Sequence, residues 1–341
     1  MRDAGVDERR WAMLGALAAT AVAVADLALG PRYVFITAVL VGPALAAVAA
    51  RPVVTALVGA YSLGIAMLVG HFSNEITAVD ELARYIAITV AVAAVTLTAA
   101  RRDERERRLV EVTKVAEVAQ RTILRSLPAT LGPVAFGARY LSATHDALIG
   151  GDFYDAVQTA HGVRAIVGDV RGKGLEAVQL ASDVLGSFRS AAHLDGMEDV
   201  VRTVDEAVQR VVGAEDFVTA VFVQFNDDGS VCIVNCGHPA PLLLGADAAR
   251  FVEGGRTRPL GLNPEVDSHI EPFTSGDRLL LYTDGLIEAR DREGAFFPLE
   301  HWSAALRQPT LDRALDILLD ELVGHAGEVT DDVAVLLTQA R

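Results

Sequence analysis

Four apolar runs crowd the first hundred residues: Trp11 to Gly30, Tyr33 to Ala50, Val53 to Phe72 and Arg84 to Ala100. Each is near the roughly 20 residues that an α-helix needs to cross a bilayer core. None has the polar stripe at helical period by which a helix of a soluble bundle meets water. The chain as a whole is 51% hydrophobic and yet carries a formal net charge of −15. Apolar and acidic residues are therefore segregated, and most Asp and Glu lie beyond Arg101. Two solvents are implied. The organisation read from this pattern is a four-helix transmembrane region over 1–100, a connector helix over 101–127 and an acidic domain over 128–341.

Arg2, Arg9 and Arg10 precede the first run, Arg51 separates the second from the third, and Arg101, Arg102, Arg105, Arg107 and Arg108 follow the fourth. By the excess of Lys and Arg on the cytoplasmic side, these ends lie inside. The turn with Arg32 and the acidic loop Ser73 to Glu81 then face outward. An even number of spans puts both termini and the acidic domain in the cytoplasm, and the protein in the plasma membrane. Asp26, near the outer end of the first run, reads either as a sensing residue or as a solvated helix end.

In the connector, Leu109, Val112, Ala116, Ala119 and Ile123 recur three and four apart, with Pro128 and Pro133 beyond. That spacing offers either a parallel coiled coil making a homodimer through 101–127 or a helix packed on its own domain. The acidic half has no basic stripe to neutralise phosphates, so nucleic acid is excluded as a partner. Cys232 and Cys236 have no His or Cys companions at metal spacing and read as ordinary buried thiols.

Chemistry is concentrated in five short segments: Gly150-Gly151-Asp152-Phe153-Tyr154-Asp155, Gly168-Asp169-Val170-Arg171-Gly172-Lys173-Gly174, Asn235-Cys236-Gly237-His238-Pro239, Tyr282-Thr283-Asp284-Gly285 and Thr330-Asp331-Asp332-Val333. Val163 to Val167 and Arg278 to Tyr282 have strand character and lead into Asp169 and Asp284, whereas Asp331 precedes the run Val333 to Leu337. In antiparallel neighbours one strand's end adjoins another's beginning, so these acids can meet at one edge of a sheet. Clustered carboxylates repel unless a cation sits among them. Oxygen-only ligands favour Mg²⁺ or Mn²⁺ over Zn²⁺. Two such ions would aim an activated water at phosphorus, which suits a chain with neither a Cys-based phosphatase loop nor a Ser nucleophile elbow.

In their order and company, these motifs make the chain from about Arg121 to Arg341 resemble the SpoIIE-like branch of the PPM (protein phosphatase 2C type) serine/threonine phosphatases. The motifs are GGDFYD, GDVRGKG, NCGHPAPLLL, LLLYTDGLIEARD and TDDVAVLL. The resemblance implies a multi-pass α-helical membrane region joined to an α+β cytoplasmic domain, a PPM-type antiparallel β-sandwich flanked by α-helices. It implies that Asp152 binds one metal, that Asp169 bridges both with the Val170 carbonyl beside it, and that Asp284 and Asp331 bind the other. Asp155 and Asp332 are second-rank, outer-shell candidates. Gly172 and Gly174 serve the turn after the bridging acid, Lys173 is a solvated neighbour, and His238 belongs to a loop of structural character. Cys236 stands where such proteins more often have Ala. The implied substrate is phosphoserine or phosphothreonine on a regulatory protein such as an anti-sigma-factor antagonist.

Helical stretches at Leu175 to His193 and Asp199 to Val212, with Leu185, Phe188, Val204, Val208 and Val211 as core positions, lie between the second and third motifs. The first begins beside the bridging acid, so its movement offers a switch of metal occupancy driven through the connector. A diguanylate cyclase is disfavoured by Phe153 after Gly-Gly-Asp, and a histidine kinase by a connector without His. A catalytically inactive pseudophosphatase, acting as a membrane-tethered binding module, is the remaining alternative. Retention of all four acids opposes it.

Overall fold

The computed structural model describes residues 4–29, 36–71, 78–124, 126–142, 150–213, 216–246 and 248–341. The chain divides into two compact units, 1–111 and 112–341. The first contains α1 (Ala4–Leu29), a 3-10 turn (Ile36–Leu40) leading into α2 (Val41–Ala49), α3 (Pro52–His71) and the start of α4 (Ala78–Ile123).

Among the described residues three helices are long and apolar enough to cross a membrane, within α1, α3 and α4. Of the second expected span, Tyr33 to Ala50, the described residues cover the part from Ile36 onward. Among the described residues its apolar helix runs from Thr37 to Ala49 and begins as a 3-10 turn, a length of about 22 Å. Tyr33, the turn with Arg32 and the loop residues 73–77 lie outside the described residues.

The charges nonetheless collect at one end of the bundle. The Arg51 amide donates to Glu8 Oε1 (3.2 Å), which places the start of α1 beside the turn between α2 and α3. The Arg102 guanidinium of α4 donates to the carbonyls of Ala47 (2.6 Å), Val48 and Ala50 (3.2 Å), a cation on the exposed carbonyls of a helix C-terminus. Helices pack closely through small residues. A Cβ on Gly42 would lie 2.8 Å from the Gly15 carbonyl oxygen, and one on Gly15 only 2.4 Å from that of Gly42.

No break separates the last apolar run from the connector, because α4 continues through both. Beyond Ala100 three successive i,i+4 pairs, Arg102–Glu106, Asp103–Arg107 and Glu104–Arg108, lace its surface. The helix stops at Ile123, four residues before the expected Leu127. Leu124 and Leu127 instead pack against the core of the second unit. Side chains of the heptad seam from Leu109 to Ile123 lie outside the described residues.

The second unit is a sandwich. Its elements are β1 (Thr130–Leu131), β2 (Val134–Leu141), β3 (Phe153–Thr159), β4 (Gly162–Val170), α5 (Leu175–Ala191), α6 (Met197–Gln209), β5 (Val218–Phe225), β6 (Ser230–Cys236), β7 (Leu242–Leu244), β8 (Ala249–Phe251), β9 (Arg256–Thr257), β10 (His269–Pro272), β11 (Arg278–Tyr282), α7 (Asp284–Glu288), α8 (Leu311–Ala326) and β12 (Val333–Ala340). One sheet has the order β1-β2-β12-β11-β7-β8 and the other β10-β6-β5-β4-β3, with β9 beside β6. Pairing is antiparallel apart from β6 with β9.

Period-2 alternation sorts the strands' side chains into layers. Val163, Ala165 and Val167 of β4 face Leu279, Leu281, Ala334 and Leu336 between the sheets. Ile166 and Val170 point the other way, against Leu185 and Phe188 of α5 and Val204 and Val208 of α6. On the other sheet Leu280, Tyr282, Val333 and Val335 meet Leu315, Leu318 and Leu322 of α8. Both sheets are thus buried on both faces, which is why their strands read as continuous apolar runs. Val211, expected in the helical core stripe, lies past the end of α6 and is 57% exposed.

Helix α5 is pinned to β4 at both ends. It begins just after the turn that follows Asp169, and the carbonyls just beyond its C-terminus are gripped by the buried Arg164 of the same strand. That guanidinium donates to Ala192 O (2.9 Å), Leu194 O (2.5 Å) and Asp195 O (2.9 Å).

Candidate metal centre

The register of β11 against β12 sets Tyr282 opposite Val335. The end of one strand therefore adjoins the beginning of the other, and Asp284 and Asp331 share a rim. Asp169 sits within β4, opposite Thr219, rather than after the strand's end. The adjacent turn Gly150-Gly151-Asp152 is tied down residue by residue. The Gly150 amide donates to Asp332 Oδ2 (2.5 Å), and Gly150 also bridges Lys173. The Gly151 carbonyl accepts from the Val170 amide (3.3 Å). Asp152 Oδ2 accepts from Thr283 Oγ1 (2.7 Å).

Such closeness requires glycine. A Cβ on Gly151 would stand 2.5 to 2.9 Å from Val170 atoms, and one on Gly285 would stand 2.0 Å from the Asp332 carbonyl oxygen. Gly172 and Gly174 both have positive φ, 117° and 91°, so the turn after Asp169 needs the residues that the sequence supplies.

The four expected acids feel one another. Burial, then the charge of Asp169, drives the Asp152 carboxyl well above the usual range. Asp169 is pushed up to about 7, first by burial and then by the charge of Asp284, with Asp331 and Asp332 adding to it. Asp284 is raised by burial, by Glu288 and by Asp331. Asp152 and Asp169 are thus close enough for the charge of one to oppose ionisation of the other.

Lys173, expected as a solvated neighbour, places Nζ 2.8 Å from Asp331 Oδ1. As placed, no three His, Cys, Asp or Glu side chains among the described residues form a close ligand set. The charge balance nevertheless fits a hard divalent cation. Four carboxylates with one ammonium beside them leave excess negative charge in a half-buried rim, and every donor is oxygen.

Of the second-rank acids, Asp155 is not brought to this rim. It faces α5, where its Oδ2 accepts from Arg189 Nε (2.5 Å), because strand alternation turns residue 155 to the side opposite Tyr154. Asp332 does lie at the rim, as the acceptor that holds Gly150 and, at 3.3 Å, the Ser142 hydroxyl. His238 is buried, with Nδ1 2.9 Å from Thr219 Oγ1. Burial lowers its pKa to about 3, so the ring is neutral. The loop also holds itself, since the His238 amide donates to Asn235 Oδ1 (2.7 Å). Cys236 is pushed up to about 12 by burial and offers no thiolate. Sequence reasoning overlooked Thr283, and its one signal was a hydroxyl directly before Asp284.

The profile of the stage II sporulation protein E (SpoIIE) family matches residues 159–341. The chain belongs to the SpoIIE family. The match contains Asp169, Asp284 and Asp331 and begins after Asp152. Among solved structures, this SpoIIE-family chain is similar to the RsbU and RsbW domains of Rv1364c from Mycobacterium tuberculosis, at 31% identity and a TM-score of 0.54 over 61% of this chain and 60% of that one. The SiaA-PP2C domain of Pseudomonas aeruginosa shares the fold at 20% identity, with a TM-score of 0.59 over 69% of this chain and 98% of that one. The PP2C phosphatase domain, with a fragment of the regulatory domain, of SpoIIE from Bacillus subtilis does so at 18% identity and a TM-score of 0.50, over 60% and 62% of the two chains. The sandwich is thus a PP2C-type fold.

Proposed function

We propose that the chain is a membrane-anchored, metal-dependent protein serine/threonine phosphatase. The observation that carries this reading is the convergence of Asp152, Asp169, Asp284 and Asp331 on one rim of a PP2C-type sandwich, each raising the pKa of another or having its own raised. Asp152, Asp169 with the Val170 carbonyl, Asp284 and Asp331 would hold two Mn²⁺ or Mg²⁺ ions. Bound there, the ions supply a water ionised at neutral pH and positive charge for the phosphoryl oxygens. The chain's own part is to hold the acids: Thr283 orients Asp152, Asp332 fixes the Gly150 turn and Lys173 steadies Asp331.

The neutral, buried His238 is a structural member of this arrangement rather than an acid. Membership of the SpoIIE family supports a phosphorylated regulatory protein, such as an anti-sigma-factor antagonist, as the substrate class. Anchoring rests on the three long apolar helices. A cytoplasmic phosphatase domain is supported by Arg51 and Arg102 meeting at the end of the bundle where α1 begins. Dimerisation through 101–127, and control of α5 by the connector, belong to the same reading.

The test is hydrolysis of p-nitrophenyl phosphate and phosphorylated casein by the full-length protein in detergent, with Mn²⁺, Mg²⁺ or chelator, beside Asp169→Asn and Asp284→Asn. Metal-dependent turnover lost in both variants supports an enzyme. A folded, metal-binding protein that is inactive on both substrates establishes the pseudophosphatase instead.

A further inference from the structure

A cleft of about 440 Å³ opens beside the rim, between the turn Val170 to Lys173, the first two turns of α5 and the segment after α6. That volume lies within the roughly 300–1,000 Å³ range of ligand sites. It is continuous with the carboxylate cluster at two points. Val170 directly follows Asp169, and Lys173, which lines the cleft, touches Asp331.

Its polar lining is mixed in sign, with Arg171 and Lys173 against Glu176 and Asp216. Charge therefore discriminates little there. Beside Gly172 and the uncharged Gln179, the rest of the lining is aliphatic: Val170, Ala177, Leu180 and Val212, with Val211 at 57% exposure on the lip. The turn that forms one wall is held in place, since the Arg171 guanidinium lies 5.4 Å from the centre of the Phe217 ring and the Arg171 amide donates to the Phe217 carbonyl (3.4 Å).

The cleft is within reach of residues that flank a phosphorylated side chain at the rim, since Val170 and Lys173 belong to both. We propose that the cleft is the specificity subsite for residues flanking the phosphoserine or phosphothreonine, and that it takes an aliphatic side chain. This rests on the phosphatase reading for its location, and on the cleft's shape and aliphatic lining for its chemistry. Gain of one buried aliphatic group in such a site discriminates substrates by about tenfold or more.

The test uses full-length protein and a set of phosphoserine heptapeptides in which each flanking position carries Leu or Ser. The same peptides, labelled and with a non-hydrolysable phosphonate in place of the phosphate, report binding by fluorescence anisotropy. The expected result is a preference of about tenfold in kcat/KM and in Kd for Leu at one position or more. Val211→Glu should abolish the preference while p-nitrophenyl phosphate turnover stays unchanged, and Val211→Leu should restore it. Equal handling of Leu and Ser peptides by the unaltered protein overturns the subsite, as does a Val211→Glu variant that loses p-nitrophenyl phosphate turnover in equal measure, the mark of a regulatory surface. Absence of all turnover alongside a Leu preference in anisotropy would sink the phosphatase and leave the subsite standing.

Discussion

Thr283 joins the two sheets: its Oγ1 donates to Asp152 Oδ2 at 2.7 Å and accepts from the Ala334 amide at 2.9 Å. Asp152 leads into β3 of one sheet, and Thr283 directly follows β11 of the other. Thr283→Val keeps the shape but leaves a buried amide and a buried carboxylate each short of a partner. We expect a stability loss of about 1–3 kcal/mol and Mn²⁺ affinity weakened roughly 10- to 100-fold, with Thr283→Ser close to the parent. Denaturant titration and calorimetric Mn²⁺ titration measure both. Unchanged affinity in a folded Thr283→Val would remove the hydroxyl from the site.

Function and stability should oppose each other at Asp169. Its carboxylate is raised to about 7 by burial and by the charge of Asp284. Asp169→Asn relieves that repulsion while deleting the central acid. In chelator at pH 8 the variant should melt about 2–4 °C higher, the equivalent of about 1 kcal/mol in a domain of this size. Its phosphatase activity should fall to background. A lower melting temperature in chelator would show that the acids are not mutually repelling.

Stabilisation by divalent cations should grow with pH. A carboxyl whose folded pKa is about 7, against 3.8 as its ordinary value, holds its proton in the native state between those limits. In chelator the native state gains from this below pH 3.8 and loses it as pH rises through 7. An incoming cation must displace that proton at low pH and meets a free carboxylate at high pH. The rise in melting temperature on adding Mn²⁺ should therefore be larger at pH 8 than at pH 5.5. An equal rise at both would contradict the assignment.

His238 works in the opposite sense, and on folding rather than chemistry. Its folded pKa is about 3 against an ordinary 6.5, so the unfolded chain takes up the extra proton between those values. The stability it confers is full above pH 6.5 and is lost as pH falls towards 3, by at most about 1.4 kcal/mol per pH unit. His238→Gln should flatten that slope in urea titrations at pH 4 to 6.5. The kcat–pH profile above pH 6 should keep its shape, and a lost ionisation there would make His238 an acid after all.

Asp155 and Arg189 form a pair of another kind. The carboxylate is buried and the guanidinium partly exposed. Arg189→Ala should cost about 2–3 kcal/mol, less than for a fully buried pair, whereas Asp155→Asn should leave Mn²⁺ affinity unaltered. A loss of metal binding in Asp155→Asn would return this acid to the ligand set.

The sequence by itself determined the separation of apolar and acidic halves, because hydropathy is local and a bilayer-length run needs no partner to be recognised. It also determined the acids of the rim: strand periodicity and the glycines at 150, 151, 172, 174 and 285 mark where the backbone must turn beside them. Only the tertiary structure decided what depends on which strands are neighbours. It turned Asp155 to Arg189, brought Lys173 onto Asp331, and joined the Thr283 hydroxyl to Asp152, 131 residues away along the chain. It also drew Leu124 and Leu127 out of the connector helix to pack against the sandwich core and left Val211 on a cleft instead of in a helical stripe. For Leu124 and Leu127, burial against a distant element outweighed the local spacing, because a single packed side chain is worth more than the few tenths of a kcal/mol by which helix propensities differ.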